Sequence, residues 1–239
     1  MGLTRACACL LAAALLSAPP LLGPPPLVGQ TPSAPPAPSL PAVRFIVVLD
    51  AAHGGEDAGA RFSDGTLEKN LTLALSVRLR SLLNARGFTV ITTRESDQLL
   101  DVNRRAEIAN HIPAQACISL HATASGLGVH LFASSLAPAP RNRITAWKTA
   151  QSGWTTQSLA LVGVVNSTLQ QAGFTVALAR TNLPSIDSMT CPAIAIEIAP
   201  PVGSDHKPSG AITDPEYQSH VAEALAAALL EWRTEVLQP

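Results

Sequence analysis

The feature that most constrains this chain is a series of short, unbroken apolar runs separated by stretches with helical spacing. Residues 44–49 read RFIVVL, residues 116–120 read ACISL, and residues 192–198 read PAIAIEI. Runs of that length suit strands covered on both faces, as the strands of a parallel sheet are. From Glu68 to Arg86, Leu71, Leu75, Leu79, Leu82 and Leu83 recur at helical spacing, and Gly87 stands where a left-handed residue ends a helix. Residues 88–93 resume as a strand. Val102, Ala106 and Ala109 mark a second helix that Pro113 closes, and residues 129–133 form a further strand. A third helix covers about 157–171 and stops at Gly173. The run Gly87-Phe88-Thr89-Val90 returns there as Gly173-Phe174-Thr175-Val176. These are two helix-to-strand connections of one geometry rather than the units of a repeat protein. Asp214 and Pro215 have the chemistry to cap and start a last helix, with Tyr217, Val221, Leu225, Leu229 and Trp232 on its apolar face. This alternation predicts an α/β fold: a single three-layer domain with a mostly parallel central sheet and helices on both faces.

The expected body is residues 43–236. Ahead of it, residues 1–18 read as a secretory signal, with Arg5 before an apolar run from Ala6 to Leu16. That run is short for a bilayer span, which takes about 20 residues. Pro19 and Pro20 leave the cleavage point undefined, and an uncleaved segment would instead tether the protein to a membrane. Residues 19–42 are rich in Pro, Ala, Ser and Leu without a single charge, a composition that suits an extended linker. A formal net charge of −1 offers no basic field for nucleic acid. Of the four cysteines, only Cys117 and Cys191 fall in the body. Both lie in apolar segments, and buried thiols are expected in preference to a bridge.

In open α/β sheets, sites gather beyond the carboxyl ends of the strands. His53, His121 and Glu197 all fall at such positions. His53 follows the first strand in a loop of small residues, Ala51-Ala52-His53-Gly54-Gly55, and Glu68 opens the first predicted helix. Two histidines and one carboxylate form a known catalytic zinc set. Each of the three also has an ordinary reading, as a loop histidine, a helix-start glutamate and a strand-end histidine. Glu197 is the odd residue, an acid in a strand otherwise apolar, where an unpaired buried carboxylate would be costly.

Four blocks, in order, carry a resemblance: DAAHGGEDAGA, EKNLTLALSVRLRSLLNARGFTVITTRESD, NRRAEIANHIPAQACISLHA and CPAIAIEIAP. Together they resemble the catalytic domain of zinc-dependent N-acetylmuramoyl-L-alanine amidases, from about Phe45 to Trp232. The resemblance implies Zn²⁺ held by His53, Glu68 and His121, with Glu197 as catalytic acid or base. It implies peptidoglycan as the partner, cut at the amide between the lactyl group of N-acetylmuramic acid and L-alanine, by an exported protein of a bacterial envelope. Ala51-Ala52 replaces the family's usual Pro-Gly, Thr123 its usual asparagine, and Ala199-Pro200-Pro201 its usual Gly-Phe continuation. Residues 134–156 are short for the blocking helix of regulated members, which implies a site open without an activator. Two other readings stay open: a wall-binding protein that kept the fold without catalysis, and a zinc peptidase cutting another amide.

Other residues are assigned ordinary roles. His130, in GVHLF, is expected to be a simple packed or exposed side chain, and His111, His206 and His220 have no evident partners. Arg94 and Arg105 are expected to pair with Asp97 or with backbone carbonyls. Trp147 and Trp154 are expected to pack within their loop rather than to stack on sugar.

Overall fold

The computed structural model describes residues 44–142 and 144–238, together with Gly23. The signal segment and the linker, Gly23 apart, lie outside the described residues. The body is an α/β domain whose elements alternate largely as the sequence predicts. They are β1 (Ile46–Ala51), α1 (Glu68–Ala85), β2 (Thr89–Thr92), α2 (Val102–Asn110), β3 (Ala116–Ala122), β4 (Val129–Ser134), α3 (Thr155–Gln171), β5 (Val176–Thr181), a short α4 (Pro184–Asp187), β6 (Ala193–Ile198) and α5 (Pro215–Leu237). A 3₁₀ segment, Trp147–Gly153, and α4 carry no apolar periodicity and were not anticipated. The last helix starts as expected: the Asp214 carboxylate accepts from the Glu216 and Tyr217 amides, and Pro215 fills the first helical position.

The six strands lie in the order β2-β1-β3-β6-β4-β5. β2, β1, β3 and β6 are mutually parallel; β4 runs antiparallel to β6, and β5 follows β4. The reason for the reversal is local. Only six residues join β3 to β4, too few for the crossover that a parallel return requires. The chain therefore turns back and leaves room for β6 to enter between the two strands later.

Alternate residues of each strand serve opposite faces. Val47, Leu49, Ile118, Leu120, Ile194 and Ile196 pack with Leu75 and Leu79 of α1, Leu161 and Leu169 of α3, and Leu225 and Leu229 of α5. On the other face Val48, Cys117, Ala193 and Ala195 meet Ala106 and Ala109 of α2 and Ile186 of α4. The three-layer expectation holds. β5 is the exception to full cover: it closes one border of the sheet and is exposed along nearly its whole length. There the Arg180 guanidinium turns back to donate to the Ser134 and Leu136 carbonyls.

The cysteine expectation is overturned. Cys117 and Cys191 form a disulfide, with Cα atoms 6.2 Å apart. The residue after Pro192 pairs with Cys117 in the sheet, so the start of β6 delivers Cys191 beside β3. Both cysteines are buried, as expected, but their sulfurs are bonded to each other rather than free. The bridge closes a separation of 74 residues, and replacing both cysteines by alanine is expected to cost about 2–4 kcal/mol of stability. Denaturant unfolding of the double variant measures this, and thiol titration of the intact folded protein should find neither residue reactive.

Candidate metal centre and catalytic carboxylate

Each of the four singled-out residues reaches the same end of the sheet by a different route. His53 sits two residues past β1 with a left-handed backbone, φ 61°. A non-glycine residue is held there only when its surroundings insist. Two buried arginines supply that insistence. Arg94 donates through Nε to the Ala51 carbonyl and through Nη2 to those of Ala52 and Lys69. Arg105 donates through Nη1 to the Asp50 carboxylate and the Ala51 carbonyl, and through Nη2 to the His53 carbonyl. The expected backbone pairing of these arginines is present. Pairing with Asp97 is not, because Asp97 accepts instead from Lys69 Nζ at 2.7 Å and from the Gly55 amide.

Glu68 is the first residue of α1 and is 5% exposed. Its Oε2 accepts from the Ala60 amide while its own amide donates to the Ala60 carbonyl. Its Oε1 accepts from the Ala122 amide at 3.0 Å, next to His121 at the end of β3. That oxygen lies 3.1 Å from His53 Nε2 and 3.2 Å from His121 Nδ1. The two imidazoles meet edge to face, with centroids 5.5 Å apart. One donor atom from each of the three residues lies within 4.8 Å of the others. Asp57, which sequence reasoning passed over, holds the far nitrogen of His53: its carboxylate is 2.9 Å from Nδ1. This leaves Nε2 facing Glu68 and His121, the arrangement by which a second carboxylate orients a metal-binding histidine. Two imidazoles, one carboxylate and an outer carboxylate fit a zinc ion in donor chemistry and in convergence.

The electrostatics agree. Burial works to raise the Glu68 carboxyl, but hydrogen bonds from His121, His53 and two backbone amides outweigh it and hold the group far below the usual range. The Glu68 contact raises His53, against a lowering from burial and with further help from Asp57. Burial likewise works against Asp57, and His53 with the Gly59 amide overcomes it to lower its carboxyl.

Gly59 packs directly on the Glu68 and His53 side chains. A Cβ there would lie 2.6 Å from Glu68 Oε2 and 2.7 Å from His53 Cδ2, and the backbone is left-handed at φ 64°. Gly59→Ala is therefore expected to weaken zinc binding by roughly tenfold or more, measured by competition with a chromophoric chelator.

Glu197 lies one strand over. It is the register partner of His121 on one side and of His130 on the other, and neighbours in register share a face of the sheet. The three side chains thus form a row across β3, β6 and β4. Glu197 is neither fully buried nor unpaired: its side chain is 31% exposed, and its Oε1 lies 2.9 Å from His130 Nδ1. His130 lies outside the convergent group of His53, Glu68 and His121, yet it is not the unremarkable side chain anticipated. Nothing in GVHLF announces the pairing, which depends on β6 entering beside β4.

The rim carries the residues that depart from the family pattern. The Thr123 amide donates to the Ile198 carbonyl and the Gly128 amide to that of Pro200, so residues 123–128 and 198–200 are laced together. Between β4 and α3 the 3₁₀ segment is the one helical piece among the described residues. Its Gln151 is anchored on the Cys191 carbonyl, at the far end of the sheet from His53. Trp154 packs under the Arg141 guanidinium, 3.7 Å from its ring centroid, whereas Trp147 is 46% exposed. His111 bonds the Glu107 carbonyl of its own helix, and His220 stacks on Phe174.

Comparison with known proteins gives a consistent picture. Residues 47–231 match the family model described as N-acetylmuramoyl-L-alanine amidase (Amidase_3). A putative N-acetylmuramoyl-L-alanine amidase of Buchnera aphidicola subsp. Baizongia pistaciae is 38% identical over 81 residues, covering 34% of this chain and 37% of the relative. The amidase AmiA of Escherichia coli (strain K12) is 39% identical over 77 residues, covering 32% and 27%. The matched stretch thus spans well under half the length of these curated relatives. Among solved structures, an N-acetylmuramoyl-L-alanine amidase from Clostridium difficile 630 superposes with a TM-score of 0.63 at 24% identity, covering 80% of this chain and 97% of the other. The catalytic domain of CwlV from Bacillus (Paenibacillus) polymyxa var. colistinus gives 0.62 at 24%, covering 80% and 98%. At that identity the likeness is one of fold.

Proposed function

The chain belongs to the N-acetylmuramoyl-L-alanine amidase family, and from that premise we propose that it hydrolyses the amide joining the lactyl group of N-acetylmuramic acid to L-alanine in peptidoglycan. The observation that carries the reading is the convergence of His53 Nε2, His121 Nδ1 and Glu68 Oε1, with Glu197 in the next register position. His53, Glu68 and His121 would hold a zinc ion, which when bound lowers the pKa of water and polarises an amide carbonyl. Asp57 fixes the His53 tautomer. The Ala60 and Ala122 amides stop the Glu68 carboxylate from turning away. Glu197 takes a proton from water as its oxygen attacks the carbonyl carbon, then delivers that proton to the departing alanine nitrogen. The C–N bond breaks as the new C–O bond is kept, and the products are a carboxylic acid and an amine.

Export belongs to the same reading. The signal-like residues 1–18 support it, and so does the Cys117–Cys191 bridge, since disulfides persist chiefly in oxidising compartments. No helix among the described residues is long and apolar enough to cross a membrane.

Digestion of purified sacculi with mass analysis of the soluble products tests the proposal. Intact stem peptides beginning with alanine are expected, lost with a chelator and regained with zinc. Fragments cut inside the stem would mark a zinc peptidase, and binding to sacculi without release would mark a wall-binding protein.

A further inference from the structure

We infer that His130 is a positioning residue for Glu197, holding its carboxylate in one working orientation; the inference rests on the amidase reading above. An ionised carboxylate only accepts hydrogen bonds, so His130 Nδ1 carries the proton and donates it to Glu197 Oε1, at 2.9 Å. Among the described residues this is the one hydrogen bond that the Glu197 side chain makes. A glutamate carboxylate otherwise samples many rotamers, and fixing it beforehand removes that search from the reaction. The bond engages Oε1 and leaves Oε2 free to handle a proton.

The imidazole is itself held. His130 sits opposite Glu197 in the antiparallel β4–β6 pair, so backbone register fixes the separation of the two Cα atoms. Phe132, two residues along and on the same face, stands edge-on with centroids 6.5 Å apart. Gly126, at φ 78°, crosses the other edge of the ring. A Cβ there would lie 2.5 Å from Cε1 and 2.8 Å from Nε2, so only glycine lets the loop after His121 close over the imidazole. A histidine merely filling space would not need its donor nitrogen aimed at an acid and its far edge clamped by a glycine.

The test compares five full-length proteins: wild type, His130→Ala, His130→Asn, Glu197→Gln, and Glu197→Gln combined with His130→Ala. Wild type is read first, because failure to release stem peptide from sacculi would sink the amidase reading and not this inference. Given an active wild type, His130→Ala is expected to lower kcat by roughly ten- to a hundredfold, with KM and zinc content unchanged. His130→Asn, which keeps an N–H near the Nδ1 position, should recover most of the loss and serves if the alanine variant folds poorly. In the Glu197→Gln background, His130→Ala should add nothing, because the group it positions has gone. Three results would overturn the inference: undiminished kcat in His130→Ala, an equal loss in both backgrounds, or loss of zinc from the folded His130→Asn protein.

Discussion

Glu197→Gln is expected to lower turnover on sacculi by roughly 10²- to 10⁴-fold while the protein keeps its zinc and its fold. Glutamine matches glutamate in size and can still meet His130, but it cannot take a proton from water. Glu197 does not belong to the donor group of His53, Glu68 and His121, so metal content should not follow activity down. The loss should fall on kcat rather than KM, the sign of a group that acts in the transition state. Metal analysis beside initial rates measures both halves. A variant retaining near-normal turnover would remove Glu197 from the mechanism and leave the proton to another group.

The second large effect is expected at Arg105. Its guanidinium is nearly inaccessible and is paired with Asp50, itself buried. Asp50 also accepts from the Thr93 and Ser119 hydroxyls. Arg105→Met would leave that carboxylate without its cation and strip the Ala51, His53 and Leu100 carbonyls of a donor. Breaking a buried pair from one side costs about 3–5 kcal/mol, and denaturant unfolding should show a shift of that order. Zinc affinity should fall with it, since the Arg105 guanidinium bonds the His53 carbonyl. Arg104 makes the comparison: it meets Glu107 on the surface, and Arg104→Met should change stability by less than about 1 kcal/mol. If the two variants unfolded alike, the buried cluster would not be what holds the His53 turn.

The elements legible in the sequence were those that bury themselves. Residues 192–198 announced β6 because both faces of that strand are covered, and Leu71, Leu75 and Leu79 announced α1 because one stripe of it is. Strand order was not legible. The six-residue link after β3 implies a reversal, but the strand that fills the gap arrives some sixty residues later in the chain. Two features of the site and core share that cause. Cys191 meets Cys117, and His130 meets Glu197, only because β6 lies between β3 and β4. Asp57 was within reach of a closer reading, lying four residues past His53 in the same loop. The convergent group of His53, Glu68 and His121 became legible through the ordered family blocks rather than through any one residue, since each alone has an ordinary use.

β5 carries a consequence for how the protein behaves in a crowded solution. A bare outer strand offers its unpaired amides and carbonyls to any other strand, and exposed Leu178 adds an apolar foothold. Arg180, next to last in the strand, places a charge at one end of that border. That charge, rather than a covering helix, would oppose edge-to-edge pairing of two copies there. Neutralising Arg180 would therefore cost shelf life at high concentration and at high salt, where charge is screened, well before it cost turnover.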